Sequence, residues 1–195
     1  LVWVGYLSTT GVYGDHDGGW VDEETPLRPT TARGRARVAA EGEWQALYHA
    51  YGLPLHVFRL AGIYGPDRGP FEKLRNGTAR RIVKPGQVFS RIHVADIVQV
   101  LMASMARPSA GAVYNLCDDD PAPPQDVIAQ AAELLDLPLP PEVPFDEAEL
   151  SPMARSFYTD SKRVENDRIK EELGIRLRYP DYRSGLRAIL DAETD

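Results

Sequence analysis

Apolar residues recur along this chain at two spacings, strand-like runs alternating with helix-like stripes. The opening run Leu1–Leu7 is nearly all apolar, which suits a strand buried on both faces, as in a parallel sheet with helices above and below. The polar, turn-rich STTGVYG (8–14) follows, and the acidic stretch from Asp15 to Glu24 reads as a surface loop. Pro29-Thr30-Thr31 opens a helix predicted to run to about Tyr51, with Val38, Trp44, Leu47, Tyr48 and Tyr51 as its apolar stripe. Gly52 and Pro54 close it. Leu55–Ile63 reads as the next strand, so strand, helix and strand form a βαβ unit.

Farther along, a short helix is expected near Phe71–Arg75, then a strand-like pair near Arg80–Val83 and Val88–Ile92. Val94, Ile97, Val98, Leu101 and Met105 mark an amphipathic helix, and Ala112–Leu116 reads as another buried strand. Pro124 suits the first turn of a helix with Val127, Ile128, Ala131, Leu134 and Leu135 on one face. Pro138–Pro144 reads as a connector. Asp160 or Ser161 is predicted to cap a helix ending at Gly174, and Asp181–Ala192 to form a last short helix.

The fold class expected from this order is α/β: the C-terminal part of a doubly wound Rossmann-type parallel sheet with a small α+β substrate-binding subdomain. Residues 1–66 would be the second half of a dinucleotide-binding domain. Residues 67–195 would be a mixed segment that returns to the sheet at about 88–118 and then forms the subdomain. One feature sits badly with a whole fold. The chain opens inside a core strand, with Leu1 rather than Met, and carries no Gly-x-Gly-x-x-Gly. The pairs Gly11/Gly14 and Gly62/Gly65 follow strands but lack a third glycine. The expectation is a missing N-terminal segment; the alternative is a chain that completes a smaller sheet with a partner's strands.

Composition narrows the partners. The chain is 43% hydrophobic and 26% charged, with a net charge of −7 from 22 basic and 29 acidic residues. That balance argues against nucleic acid, since phosphate neutralisation needs clustered Lys and Arg. Leu1–Leu7 is too short to span a bilayer and lacks the features of a signal peptide, so no membrane partner is expected. Cys117 is the single cysteine, which rules out an internal disulfide and points to a cytoplasmic protein. Asn76-Gly77-Thr78 reads as a turn, and Asp15-His16-Asp17 as a solvated loop with too few ligands for a metal.

Four segments in order, STTGVYG (8–14), PTTARGRARVAAE (29–41), RLAGIYGP (59–66) and SRIHVADIV (90–98), resemble the extended short-chain dehydrogenase/reductases, the NAD-dependent epimerase/dehydratase group. The likeness continues through VYNLCDDDPAPPQDVI (113–128) and SKRVENDRIKEELG (161–174). It implies NAD or NADP as cofactor and a small hydroxyl or carbonyl compound, or a nucleotide sugar, as substrate. It also implies that the phosphate-gripping glycine loop lies outside this chain. Leu7, Ser8, Thr9, Arg37, Leu60 and Ile63 would face the cofactor, and Tyr64, Arg91 and His93 the substrate. A homodimer through the helix Thr30–Tyr51 is expected by analogy.

The sequence departs from that family at one decisive place. Its Tyr-x-x-x-Lys pair falls on Arg33 and Arg37. A guanidinium, with a pKa above ~12, neither accepts nor gives up a proton usefully, so ordinary hydride transfer loses its proton carrier. Arg37 would still donate to ribose hydroxyls, and Thr9 keeps the family's hydroxyl for orienting a substrate oxygen. Arg33 and Arg37 share a helix face. Either they form a cationic patch for a carboxylate, phosphate or cofactor, or the face is solvated and Arg37 pairs with Glu41. Tyr13 and Tyr64 read either as substitute proton carriers or as tyrosines packed at strand ends. Arg91 reads as an anion contact or as half of an ion pair, His93 as a helix cap or the holder of an ordering hydrogen bond, and Cys117 as a small buried hydrophobe. Two functions remain open: an atypical oxidoreductase or epimerase, and a non-catalytic dinucleotide-binding sensor or scaffold.

Overall fold

The computed structural model describes residues 1–194. The chain opens with β1 (Val4–Thr9), the short strand β2 (Trp20–Val21), α1 (Ala32–Tyr51), β3 (Leu55–Leu60) and β4 (Gly62–Tyr64). Then come α2 (Phe71–Arg75), β5 (Arg81–Val83), β6 (Arg91–His93), α3 (Val94–Ala106) and β7 (Val113–Leu116). The remainder is α4 (Pro124–Leu134), β8 (Glu142–Pro144), α5 (Pro152–Phe157), β9 (Arg163–Val164), α6 (Asp167–Leu173) and α7 (Tyr182–Thr194).

The central sheet is parallel, in the order β1-β3-β7. Parallel neighbours need a crossover, and α1 supplies it between β1 and β3, as α3 does between β3 and β7. β3 is buried at every residue, as the middle strand of a covered sheet must be. Phe58 and Leu60 on β3 pack with Tyr114 and Leu116 on β7, with Ile97 and Val100 of α3 and with Ile169 and Leu173 of α6. A second cluster joins Phe71 and Leu74 of α2 to Tyr182, Leu186 and Ile189 of α7. A third sets Val12, Tyr13, Val21, Cys117 and Val164 at the C-terminal end of the sheet.

Several expectations change against the structure. The first strand runs Val4–Thr9 rather than Leu1–Leu7, and Leu1 and Val2 are exposed. Among the described residues it pairs with β3 alone, and its burial is uneven: Ser8 is buried while Leu7 is 45% exposed. The run Leu55–Ile63 breaks at Ala61: β3 pairs with β7, while β4 leaves the sheet to pair with β6. Arg80–Val83 and Val88–Ile92 do not pair with each other. Arg81–Val83 joins Glu142–Pro144, inside the stretch read as a connector, and Arg91–His93 joins β4. The helix expected from Asp160 begins only at Asp167, because Arg163 and Val164 first pair with β2. On α1 the expected stripe is only partly covered: Val38, Trp44 and Tyr48 are half-buried, Leu47 is 41% and Tyr51 81% exposed, and the fully buried residues are Gly34 and Glu41.

What fixes α1 to the sheet is polar. Glu41, 2% exposed, accepts from Ser8 Oγ on β1 (2.5 Å) and pairs with Arg59 Nη2 on β3 (2.8 Å). Arg59 Nη1 donates to Tyr13 Oη (3.0 Å), whose own O–H donates to Asn115 Oδ1 on β7 (2.7 Å). The Arg37–Glu41 pair, one of the two readings of this helix face, is therefore absent; Arg59 takes the carboxylate because it is buried beside it. Breaking one partner of a buried pair costs about 3–5 kcal/mol. Glu41→Gln should accordingly lower the melting temperature more than Tyr13→Phe, which leaves two polar groups short of a partner at about 1–3 kcal/mol. Paired thermal melts measure this, and equal melting temperatures for Glu41→Gln and wild type would remove the network from its central place.

Candidate active site

Ligands of open parallel sheets gather at the C-terminal ends of the strands. Here that end is formed by Thr9, Leu60 and Leu116 and by the turn Thr10–Val12 that follows β1. Thr9 is half-buried and caps that turn, its Oγ1 accepting from Gly11 N at 3.1 Å. An accepting hydroxyl still has its hydrogen to give, so Thr9 remains a donor.

The first turn of α1 presses against this turn. A Cβ on Gly34 would come within 2.9 Å of Gly11 O and of Pro29 Cβ, so the approach depends on glycine. Thr31 caps the helix by accepting from Gly34 N at 3.0 Å. Arg37 then reaches the edge strand and donates from Nη1 to Leu7 O at 2.7 Å. Arg33 is exposed, and its guanidinium carbon stands 4.9 Å from the ring centroid of Phe157 on α5. No carboxylate lies within ion-pair reach of Arg33 or Arg37 among the described residues.

Tyr13 is fully buried, and burial pushes its phenol up to about 12, with Arg59 opposing. Its hydroxyl is committed to Arg59 and Asn115, which is the packed arrangement rather than that of a proton carrier. Ser8 is equally committed, to Glu41. Leu60 is buried, and Ile63 packs on the central core.

The residues expected at the substrate end are brought together, but inside the protein. β4 and β6 pair Gly62 with Arg91 and Tyr64 with His93. The Tyr64 and His93 rings meet edge-on at 5.2 Å, and Tyr179 closes on His93 at 4.1 Å. His93 Nδ1 accepts from Ala95 N and caps α3, as its sequence position suggested. Arg91 Nη1 donates to the carbonyls of Phe89 and Ala122. Tyr64 donates to Asp181 O at 3.3 Å, and burial together with nearby Asp118 and Asp96 raises its phenol far above the ordinary value.

Sequence reasoning missed three groups. Asp118, 1% exposed, leaves Oδ2 without a hydrogen-bond partner, and burial raises its carboxyl to about 8 against the pull of Arg91. Lys162 donates to Gly14 O at 2.7 Å with Asp160 Oδ2 at 3.6 Å, and burial lowers its ammonium. Asn166 bridges Cys117 O and Asp119 Oδ1. The acidic run Asp118–Asp120 was the one visible hint of the first; the other two depend on contacts far apart in sequence. Cys117 is a buried small side chain, its Sγ donating to Val164 O and its thiol pushed up by burial. Asp15, His16 and Asp17 form no group able to hold a metal among the described residues.

A parallel α/β sheet with an open, donor-lined end is the architecture of a Rossmann-type nucleotide-binding protein. The sequence narrows this further: residues 4–117 match the NAD dependent epimerase/dehydratase family, and the chain belongs to it. Protein YeeZ of Escherichia coli (strain K12) is 32% identical over 181 residues, which cover 90% of this chain and 58% of that protein. The chain therefore spans less than two thirds of that relative's length. A functionally unknown conserved protein from Silicibacter pomeroyi superposes with a TM-score of 0.94 at 73% identity, over 97% of this chain and 66% of that one. The dTDP-glucose 4,6-dehydratase of Bacillus anthracis, in complex with NAD, has a TM-score of 0.80 at 22% identity, over 96% of this chain and 60% of that one. At that identity the likeness is one of fold. No helix among the described residues is long and apolar enough to cross a membrane.

Asp118 gives the site a pH signature. With its carboxyl at about 8 when folded and near 3.8 when unfolded, the folded protein keeps a proton that the unfolded chain has lost between those values. This contribution is fully present below the unfolded value and is lost as pH rises through the folded one. Between about pH 5 and about pH 9 the melting temperature of Asp118→Asn should fall less than that of wild type. Parallel pH profiles would refute the assignment.

Proposed function

We propose that this chain forms the nicotinamide-side wall and the substrate cover of an NAD(P)-binding oxidoreductase or epimerase of atypical mechanism. Its substrate is a small hydroxyl or carbonyl compound or a nucleotide sugar. The observation that carries the reading is Arg33: it stands at the first turn of α1, beside the turn that follows Thr9, where the family resemblance calls for a phenol. The reading divides the chain at residue 66, with the dinucleotide side before it and the substrate side after.

The residues present suit the cofactor. Leu7 is 45% exposed, Arg37 holds one donor on Leu7 O with others to spare, and Thr9 has an unused hydrogen. Leu60 and Ile63 supply an apolar wall. NAD(P), when bound, supplies the hydride acceptor or donor. Within the chain, Thr9 orients the substrate oxygen by donating to it, Arg37 fixes the ribose, and Arg33 binds or polarises an anionic group. Neither Arg33 nor Arg37 moves a proton, and Tyr13 and Tyr64 are held by burial in their neutral form. Proton exchange then falls to the substrate itself or to water. Arg91 and His93 belong to the substrate side in this reading; Arg91 Nη1 and His93 Nδ1 are turned to backbone groups, and their remaining nitrogens are the ones left for a substrate. A homodimer through Thr30–Tyr51 is part of this reading, with the exposed Leu47 and Tyr51 of α1 as its apolar contact. A cytoplasmic setting, suggested by the single thiol, belongs to it as well.

The second reading, a dinucleotide-binding sensor or scaffold without turnover, is favoured by the same commitment of both tyrosine hydroxyls. The two separate when the chain is tested joined to a phosphate-gripping glycine loop of the kind that the family resemblance implies. Arg33→Tyr with Arg37→Lys should raise NAD(P)H oxidation with simple aldehydes by at least about a hundredfold, the usual contribution of a positioned acid–base group. Dinucleotide binding with no turnover in either protein supports the sensor. Absence of dinucleotide binding in both rejects the two readings together.

A further inference from the structure

The surface that carries Arg33 also carries an exposed apolar face. Phe157 is 52% and Met153 65% exposed, and they lie four apart on α5, so they share one side of that helix. The Arg33 guanidinium stands 4.9 Å from the Phe157 ring centroid. A guanidinium this close to a ring makes a cation–π contact and still has N–H groups with which to grip an anion. Around it the chain is locally basic despite its net charge of −7: Arg28, Arg33, Arg35 and Arg37 fall within ten residues that contain no Asp or Glu.

The spacing between this arginine and this ring is built rather than incidental. Thr30, three residues before Arg33, donates through Oγ1 to Asp160 Oδ1 at 2.5 Å, and Asp160 lies three residues after Phe157. Lys162 ties the same segment to Gly14 O at 2.7 Å, immediately beyond Tyr13. The loop that ends α5 is thus bound both to the approach of α1 and to the turn region after β1.

We infer that Arg33, Phe157 and Met153 receive a flat apolar molecule bearing a carboxylate or phosphate. The anion lies on the free guanidinium edge and the apolar body covers Phe157 and Met153. Charge complementarity selects the anion, and burial of the exposed aromatic and thioether surface selects the body. A free sugar satisfies only the hydrogen bonds, and a short-chain acid satisfies only the charge. The inference deepens the functional reading by naming the ligand class, and it takes from that reading the ligand's place beside Thr9.

The test uses the 195-residue chain without dinucleotide, so that failure of ligand binding and failure of turnover are separate results. The probes are benzoate, phenyl phosphate, benzamide and acetate, followed by NMR shift titration. Benzoate or phenyl phosphate should bind about tenfold more tightly than both benzamide and acetate, the scale of one charge-assisted contact. Whichever aryl anion binds better decides between carboxylate and phosphate. Arg33→Gln should erase the preference for benzoate over benzamide, with Arg33→Lys keeping part of it. Phe157→Ala should erase the preference for benzoate over acetate. Both side chains are exposed, and unchanged melting temperatures confirm that the variants fold. Equal affinity for benzoate and benzamide, unaltered binding in Arg33→Gln, or no saturable binding of either aryl anion would each overturn the inference.

Discussion

A carboxylate in the middle of a helix, turned inward, holds the sheet and its principal helix together. Glu41 meets Ser8 on β1 and Arg59 on β3, and Arg59 passes the contact through Tyr13 to Asn115 on β7. All three strands of the central sheet are joined to α1 through this one chain of side chains. Removing charges from water is costly, and an ion pair of this kind is worth having only when nearly every lone pair and proton is used. Here the carboxylate takes bonds from two residues and the guanidinium reaches two side chains, so the group tolerates burial. Because α1 is held this way, its outer face stays free of core duty, and its first turn can stand against the turn after β1.

From that placement follows the division of the chemistry into an open part and a closed part. Thr9, Arg33 and Arg37 are at or near the surface, with donor capacity left over. Tyr64, Arg91, His93 and Asp118 are clustered inside, with hydroxyl, guanidinium and ring nitrogen turned to backbone or to one another. Titratable groups in the closed part shift because water is excluded: the phenol and the carboxyl rise, and the imidazole falls. The open part carries the guanidinium groups of Arg33 and Arg37. The anion-gripping role proposed for this region draws on the open part, and the closed part keeps its protons to itself.

The sequence by itself determined the alternation of runs and stripes, and with it the α/β class, the parallel crossovers and the end of the sheet at which Thr9 stands. It determined that Arg33 and Arg37 stand four apart at the start of α1, since that is a matter of residue identity and spacing. It also determined the caps at His93 and Gly52, which are local, within a turn of the residues that they serve. Tertiary structure decided what is partnered with what. The sequence offered Arg37 as the neighbour of Glu41, four residues away on the same helix; folding supplied Arg59, eighteen residues away, because β3 lies beneath α1 and both groups are shut off from water. The break at Ala61, the pairing of Arg81–Val83 with Glu142–Pro144, and the exposure of Leu47 and Tyr51 are likewise outcomes of which surfaces meet. Periodicity reports that a face is apolar, but burial is a property of two faces. Only the fold says which second face, if any, arrives to cover the first.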